Sequence, residues 1–194
     1  MLNSDGIPHL VSLTKIDKMI KCSIILLGFL LHSGFIVAQQ EKQDPDRGYH
    51  VRVGDVAPPL TLILTTGDTI TLANLHGKVV LLQFTASWCS VCRKEMPHLE
   101  NEIWQPNKNK DFILIGVDYD EPLDQVEDFV TQMKITYPMT LDPGGEHFSR
   151  FAYQKSGVTR NVVIDREGKI VFLTRLYDPT EFNEMKKTIN ELLN

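Results

Sequence analysis

Val79-Val80-Leu81-Leu82-Gln83-Phe84-Thr85-Ala86-Ser87-Trp88-Cys89-Ser90-Val91-Cys92 runs from an apolar stretch straight into two cysteines three positions apart. Six residues from Val79 to Phe84, apolar but for Gln83, have the pattern of a central strand covered on both faces. Beyond the pair, Cys92, Met96, Leu99 and Ile103 recur at spacings of four, three and four, so a helix leads out. Two thiols at that spacing share one face of the first helical turn and can close a disulfide. Cys89 sits where free N–H groups and the helix dipole favour a thiolate, which makes it the nucleophile. Cys92 falls on the buried stripe and resolves the mixed disulfide, while Cys89 is expected at an exposed tip. Pro97 removes a bond to the carbonyl of Arg93 and is expected to kink this helix.

Other readings of the pair have less support in the residues. A structural zinc site wants four ligands, yet there is no second cysteine pair, and His50 and His98 lack ligand spacing. A structural disulfide closing so short a loop restrains the unfolded chain little. No metal or cofactor is therefore expected, and the chemistry is thiol-disulfide exchange.

Moving outward, Leu60–Leu64 and Thr69–Leu72 flank Thr65-Thr66-Gly67-Asp68 as strand, turn and strand. Phe112–Val117 is a second buried strand, and Leu123, Val126, Val130 and Met133 stripe a helix. Pro138–Leu141 reads as a short strand and Glu146–Tyr153 as a short helix. Val162–Ile164 and Ile170–Leu173 form a hairpin across residues 165–169, and Phe182, Met185, Ile189 and Leu192 stripe a last helix. Strands alternating with helices, closed by a hairpin and a helix, predict an α/β fold with a central mixed sheet flanked by helices.

The 194-residue chain carries a formal net charge of −5 and no basic stripe, which speaks against nucleic acid. Lys15, Lys18 and Lys21 precede an apolar run from Cys22 to Val37, and Ala38 precedes polar Gln39-Gln40-Glu41-Lys42. This is an export signal over residues 1–38, cleaved after Ala38 or retained as a tether. Residues 1–18 are odd for a signal, and a start at Met19 would place the apolar core directly after Met-Ile-Lys. Residues 39–50 read as a polar linker and 51–194 as one domain. Cleavage would leave Cys89 and Cys92 as the sole thiols, which fits an exported redox catalyst.

Gly54-Asp55-Val56-Ala57-Pro58, Gly67-Asp68, Gly77-Lys78-Val79-Val80-Leu81-Leu82, Trp88 through Pro97, and Val163-Ile164-Asp165-Arg166-Glu167-Gly168-Lys169 together resemble the TlpA/ResA-like branch of the thioredoxin superfamily. The resemblance covers about residues 51–194. It implies a thioredoxin fold with an added N-terminal β-hairpin and an inserted strand-helix unit. It further implies a periplasmic or otherwise extracytoplasmic protein, secreted or membrane-tethered, exchanging disulfides with client proteins, commonly as a reductant in cytochrome c maturation. A membrane electron donor would recharge it. Trp88 beside the pair and the loop carrying Val158, Thr159 and Arg160 become the client-binding residues by the same resemblance.

Two positions depart from the family pattern. Gln83 stands where thioredoxin has a buried Asp, so no carboxylate there can move the proton of Cys92. Glu95, three residues beyond Cys92, becomes the candidate proton relay, with a helix-surface carboxylate as the alternative. The family's cis-proline falls on Thr159, and residues 144–178 contain no proline. The Val158–Thr159 bond is expected to be trans, because a cis bond before a non-proline residue costs ~2.5 to 4 kcal/mol. Arg160 is read as facing Cys89 and stabilising its thiolate, or else as a solvated arginine.

A thiol peroxidase is the second functional reading, since peroxiredoxins share the scaffold. They carry a threonine three residues before the attacking cysteine. Here that position is Ala86, and Thr85 is one residue out of register. A module that holds a client or a metal without turnover is the third.

Overall fold

A computed structural model describes residues 47–194. The expected signal segment and the start of the linker lie outside these residues. The small hairpin comes first, β1 (Thr61–Ile63) and β2 (Thr69–Thr71), paired antiparallel with Leu62 opposite Ile70. Gly67 supplies the positive φ, 90°, that its turn requires. A 3-10 turn over Leu72–Leu75, not foreseen, follows with Thr71 as its cap.

The main sheet has five strands: β3 (Val79–Thr85), β4 (Phe112–Tyr119), β5 (Met139–Asp142), β6 (Arg160–Ile164) and β7 (Ile170–Arg175). Their order is β5-β4-β3-β6-β7, parallel from β5 to β3 and antiparallel from β3 through β7. The expected mixed sheet is thus observed. β3 lies at its centre and every residue of it is buried, as its apolar composition demands. The N-terminal hairpin is tied to the β5 edge by Thr65 N–H on the Met139 carbonyl at 2.9 Å.

Helix α1 (Ser90–His98) follows β3 directly. After Pro97 it widens to a π turn over Leu99–Trp104 and ends in α2 (Gln105–Asn107). Pro97 has no N–H to offer Arg93, and Leu99 N–H is shared between the Glu95 and Met96 carbonyls. The expected kink is therefore a change of helical register. Helix α3 (Leu123–Met133) leans on α1 through the Arg93 guanidinium, 5.0 Å over the Phe129 ring. Helix α5 (Pro179–Leu193) covers the same side of the sheet, with Phe182 edge-on to His98 of α1.

Helix α4 (Glu146–Ser149) is shorter than the expected 146–153. Its extension is lost to competing pairing: His50 N–H bonds the Phe151 carbonyl at 2.7 Å and Tyr153 N–H bonds the Gly48 carbonyl at 3.0 Å. The same bonds correct the linker, since residues 48–50 belong to the fold.

Candidate functional site

Cys89 caps α1, and its sulfur accepts the Cys92 N–H at 3.2 Å. The two sulfurs form a disulfide with Cα atoms 5.3 Å apart, within the ordinary span for such a bond. Cys92 is fully buried; Cys89 is 8 % exposed, so the expected exposed tip is instead Trp88, at 63 %. What covers Cys89 is the loop before β6. Thr159 Oγ1 lies 3.1 Å from Cys89 Sγ and 3.3 Å from Cys92 Sγ. The Val158–Thr159 bond is trans. Val158 is buried and finds no backbone hydrogen-bond partner among the described residues.

Strand alternation then separates Thr159 from its neighbour. Arg160 pairs with Phe84 and shares that residue's face of the sheet, the face away from α1. Its guanidinium lies 4.3 Å over the Tyr49 ring and donates to the Gly157 carbonyl and to the carbonyl and hydroxyl of Ser156. Arg160 is therefore neither near Cys89 nor solvated: it braces the 156–160 loop from behind.

Under the disulfide, β3 and β6 turn polar side chains toward α1. Glu95 is buried, which corrects the surface reading, and Asn161 Nδ2 donates to its Oε1 at 2.6 Å. Oε2 has no partner, and the Gln83 amide approaches the carboxyl without closing a hydrogen bond of ordinary geometry. Burial outweighs these contacts and pushes the carboxyl up to about 8, so Glu95 holds a proton at neutral pH. Gln83 in turn accepts from Tyr137 at 2.7 Å. Tyr137 fits because Gly116 lies beside Gln83 in the sheet: a Cβ at Gly116 would sit 2.1 Å from Met139 Sδ and 3.3 Å from the Tyr137 ring.

A second acidic group has no local signature in the sequence. Glu121, after β4, accepts Ser87 N–H at 2.5 Å and Ser87 Oγ at 2.6 Å, and the Gln125 amide closes on it too. Arg93 Nε donates to the Ser87 carbonyl at 2.7 Å. The residue two before Cys89 is thus held through all three of its polar groups. Behind Glu121, Asp118 is buried with no donor on either oxygen; burial first, then the Glu121 and Asp142 charges, push it up to about 8. An acid at the end of an otherwise apolar parallel strand was the available signal for Asp118. Thr85, the near-register threonine of the peroxidase reading, sends its hydroxyl to Met96 Sδ at 3.7 Å. Among the described residues no cluster of three or more His, Cys, Asp or Glu is arranged to hold a metal.

The redoxin family model matches residues 52–192. The thiol-disulfide oxidoreductase ResA of Bacillus cereus is 31 % identical over 153 residues, 79 % of this chain and 80 % of that protein. Among solved structures, the proposed protein disulfide isomerase from Bacteroides thetaiotaomicron aligns with a TM-score of 0.73 and 56 % identity over 75 % of this chain and 92 % of its own. The proposed thiol:disulfide interchange protein DsbE from Chlorobium tepidum aligns at 0.66 with 28 % identity, over 74 % of this chain and 99 % of its own. A paired Cys89 and Cys92 at a helix start, on a thioredoxin sheet and with these relatives, place the chain in the redoxin family, among the ResA-type thiol-disulfide oxidoreductases.

Proposed function

We propose that this chain works outside the cytoplasm, reducing disulfides of client proteins with the Cys89–Cys92 pair and recovering its electrons from a membrane donor. The observation that carries the reading is the asymmetry of the pair: Cys89 caps α1 beside exposed Trp88, whereas Cys92 is fully buried above the protonated Glu95. In the forward half-reaction the Cys89 thiolate attacks a client sulfur, forming a mixed disulfide and expelling the client's other sulfur as a thiolate. Cys92 then attacks Cys89 Sγ, closing Cys89–Cys92 and releasing the second client sulfur; the client gains two electrons and the pair loses two. Cys92 must lose its proton to attack; Glu95, one turn along α1, can take it in its ionised form, and with a carboxyl raised to about 8 it is poised to hold that proton and give it up again.

Export is supported by the lysines and apolar run of residues 15–38. Among the described residues no helix is long and apolar enough to cross a membrane. The reducing direction and clients in cytochrome c maturation follow from the resemblance to the TlpA/ResA branch.

Trapping tests the reading. Cys92→Ser leaves Cys89 able to form a mixed disulfide that cannot be resolved, so client proteins should accumulate on it in the extracytoplasmic fraction and be released by dithiothreitol. An untrapped variant whose Cys89 still alkylates freely would exclude client exchange.

A further inference from the structure

We propose that the Thr159 hydroxyl is a catalytic hydrogen-bond donor that follows the negative charge between the two sulfurs, serving the Cys89 thiolate in attack and the Cys92 thiolate in resolution. The proposal rests on the thiol-disulfide exchange argued above. Its basis is geometric. One oxygen stands 3.1 Å from one sulfur and 3.3 Å from the other. Neither sulfur carries a hydrogen in the disulfide, so the hydroxyl is the donor. Oγ1 has no other hydrogen-bond partner among the described residues, and Thr159 is 2 % exposed, so neither a competing acceptor nor bulk solvent claims the proton.

The surroundings fix the oxygen there. Leu176 N–H bonds the Thr159 carbonyl at 3.0 Å, and the Arg160 brace holds the next residue against Ser156 and Gly157. A β-branched side chain has few χ1 choices, so a pinned backbone pins Oγ1 as well. What remains free is rotation of the O–H. A hydroxyl has one proton to donate, and the exchange places negative charge on one sulfur of the pair at a time. Turning the O–H from Cys89 to Cys92 therefore accompanies the charge without any net proton transfer. A hydrogen bond to an anionic sulfur is stronger than one to a neutral disulfide, so the reduced form gains more from Thr159 than the oxidised form does.

The test compares Thr159→Val, which keeps the branched shape and loses the hydroxyl, with Thr159→Ser, which keeps the hydroxyl. In the reduced protein, Cys89 alkylation followed against pH should show the Val variant with about tenfold less thiolate at a given pH below the midpoint, and the Ser variant near the parent. Equilibration with glutathione should move about tenfold toward the disulfide in the Val variant, which is about 30 mV for a two-electron couple. A simple packing defect would lower the melting temperature without these two shifts. If Thr159→Val folds poorly, the parent protein supplies the answer by NMR: the Thr159 methyl resonance should titrate with the Cys89 alkylation midpoint. A Val variant that matches the parent in both assays, a Ser variant that behaves like Val, or a methyl that does not titrate would each overturn the role of Thr159 while leaving client exchange standing. Failure of the reduced parent to reduce any model disulfide would remove both.

Discussion

The two faces of the β3–β6 strand pair are built from different materials, although the strands are the same. Toward α1 the pair presents Gln83 opposite Asn161, with Thr85 beyond and Thr159 at the lip. Away from α1 it presents Leu82 opposite Val162 and Phe84 opposite Arg160, with Phe84 packed 5.4 Å from both Phe148 and Phe151. This mainly apolar face holds the sheet against α4; its one charged group, Arg160, is carried out to the Tyr49 ring and the Ser156 and Gly157 carbonyls, with Nη1 alone left without a partner. The face toward α1 buries Glu95, Gln83 and Asn161 incompletely bonded, with Glu95 Oε2, Gln83 Nε2 and Asn161 Oδ1 all lacking partners. Such groups cost stability wherever they are buried. Glu95 lies one turn along α1 from Cys92, so the difference separates the part of the molecule that stabilises from the part that carries the disulfide.

The largest effect that would break this division belongs to the apolar face. Phe84→Ala should cost about 3 to 5 kcal/mol by leaving a cavity against Phe148 and Phe151. Denaturant unfolding measures the cost, and the Cys89 alkylation profile of the folded fraction should not change. A shifted profile would show that the two faces are coupled.

The α1 face should instead govern how stability responds to pH. Burial holds the Glu95 carboxyl protonated up to about 8, whereas its ordinary value is 4.5. Between those values the unfolded chain has given up a proton that the folded chain retains. Stability should therefore be fully present below about pH 4.5 and fall as the pH rises through 8, by an amount on the order of a few kcal/mol. Asp118, pushed the same way, adds to the same slope. Urea midpoints measured from pH 5 to 8.5 test the sign, and Glu95→Gln should flatten the curve while slowing release of mixed disulfides. A slope unchanged by that substitution would assign the effect to Asp118.

The smallest expected effect comes from the clamp on Ser87. Glu121→Gln keeps an acceptor for Ser87 N–H but removes the charge that strengthens both Ser87 bonds, at a cost of about 1 kcal/mol. Because the Glu121 charge also raises Asp118, its removal should move the Asp118 titration downward, which carboxyl NMR would follow.

Much of this was legible one residue at a time. The buried run at Val79–Phe84, the helical stripe from Cys92 to Ile103 and the cysteine pair between them determined the central strand, the helix and the reactive centre, because each rests on local periodicity. The absence of proline at Thr159 was equally plain. What the sequence left open was direction and company. Strand alternation sent Thr159 to the sulfurs and Arg160 to Tyr49, although the two are adjacent, because parity is set by how β6 pairs with β3. Glu95 could be a surface carboxylate or a buried acid until α1 was laid against Asn161, 66 residues away in sequence. Glu121 reached Ser87 across 34 residues, and no spacing announces such a contact. Local pattern fixes which element a residue belongs to; only packing decides what it faces, and burial and hydrogen bonding, which set its chemistry, follow from that.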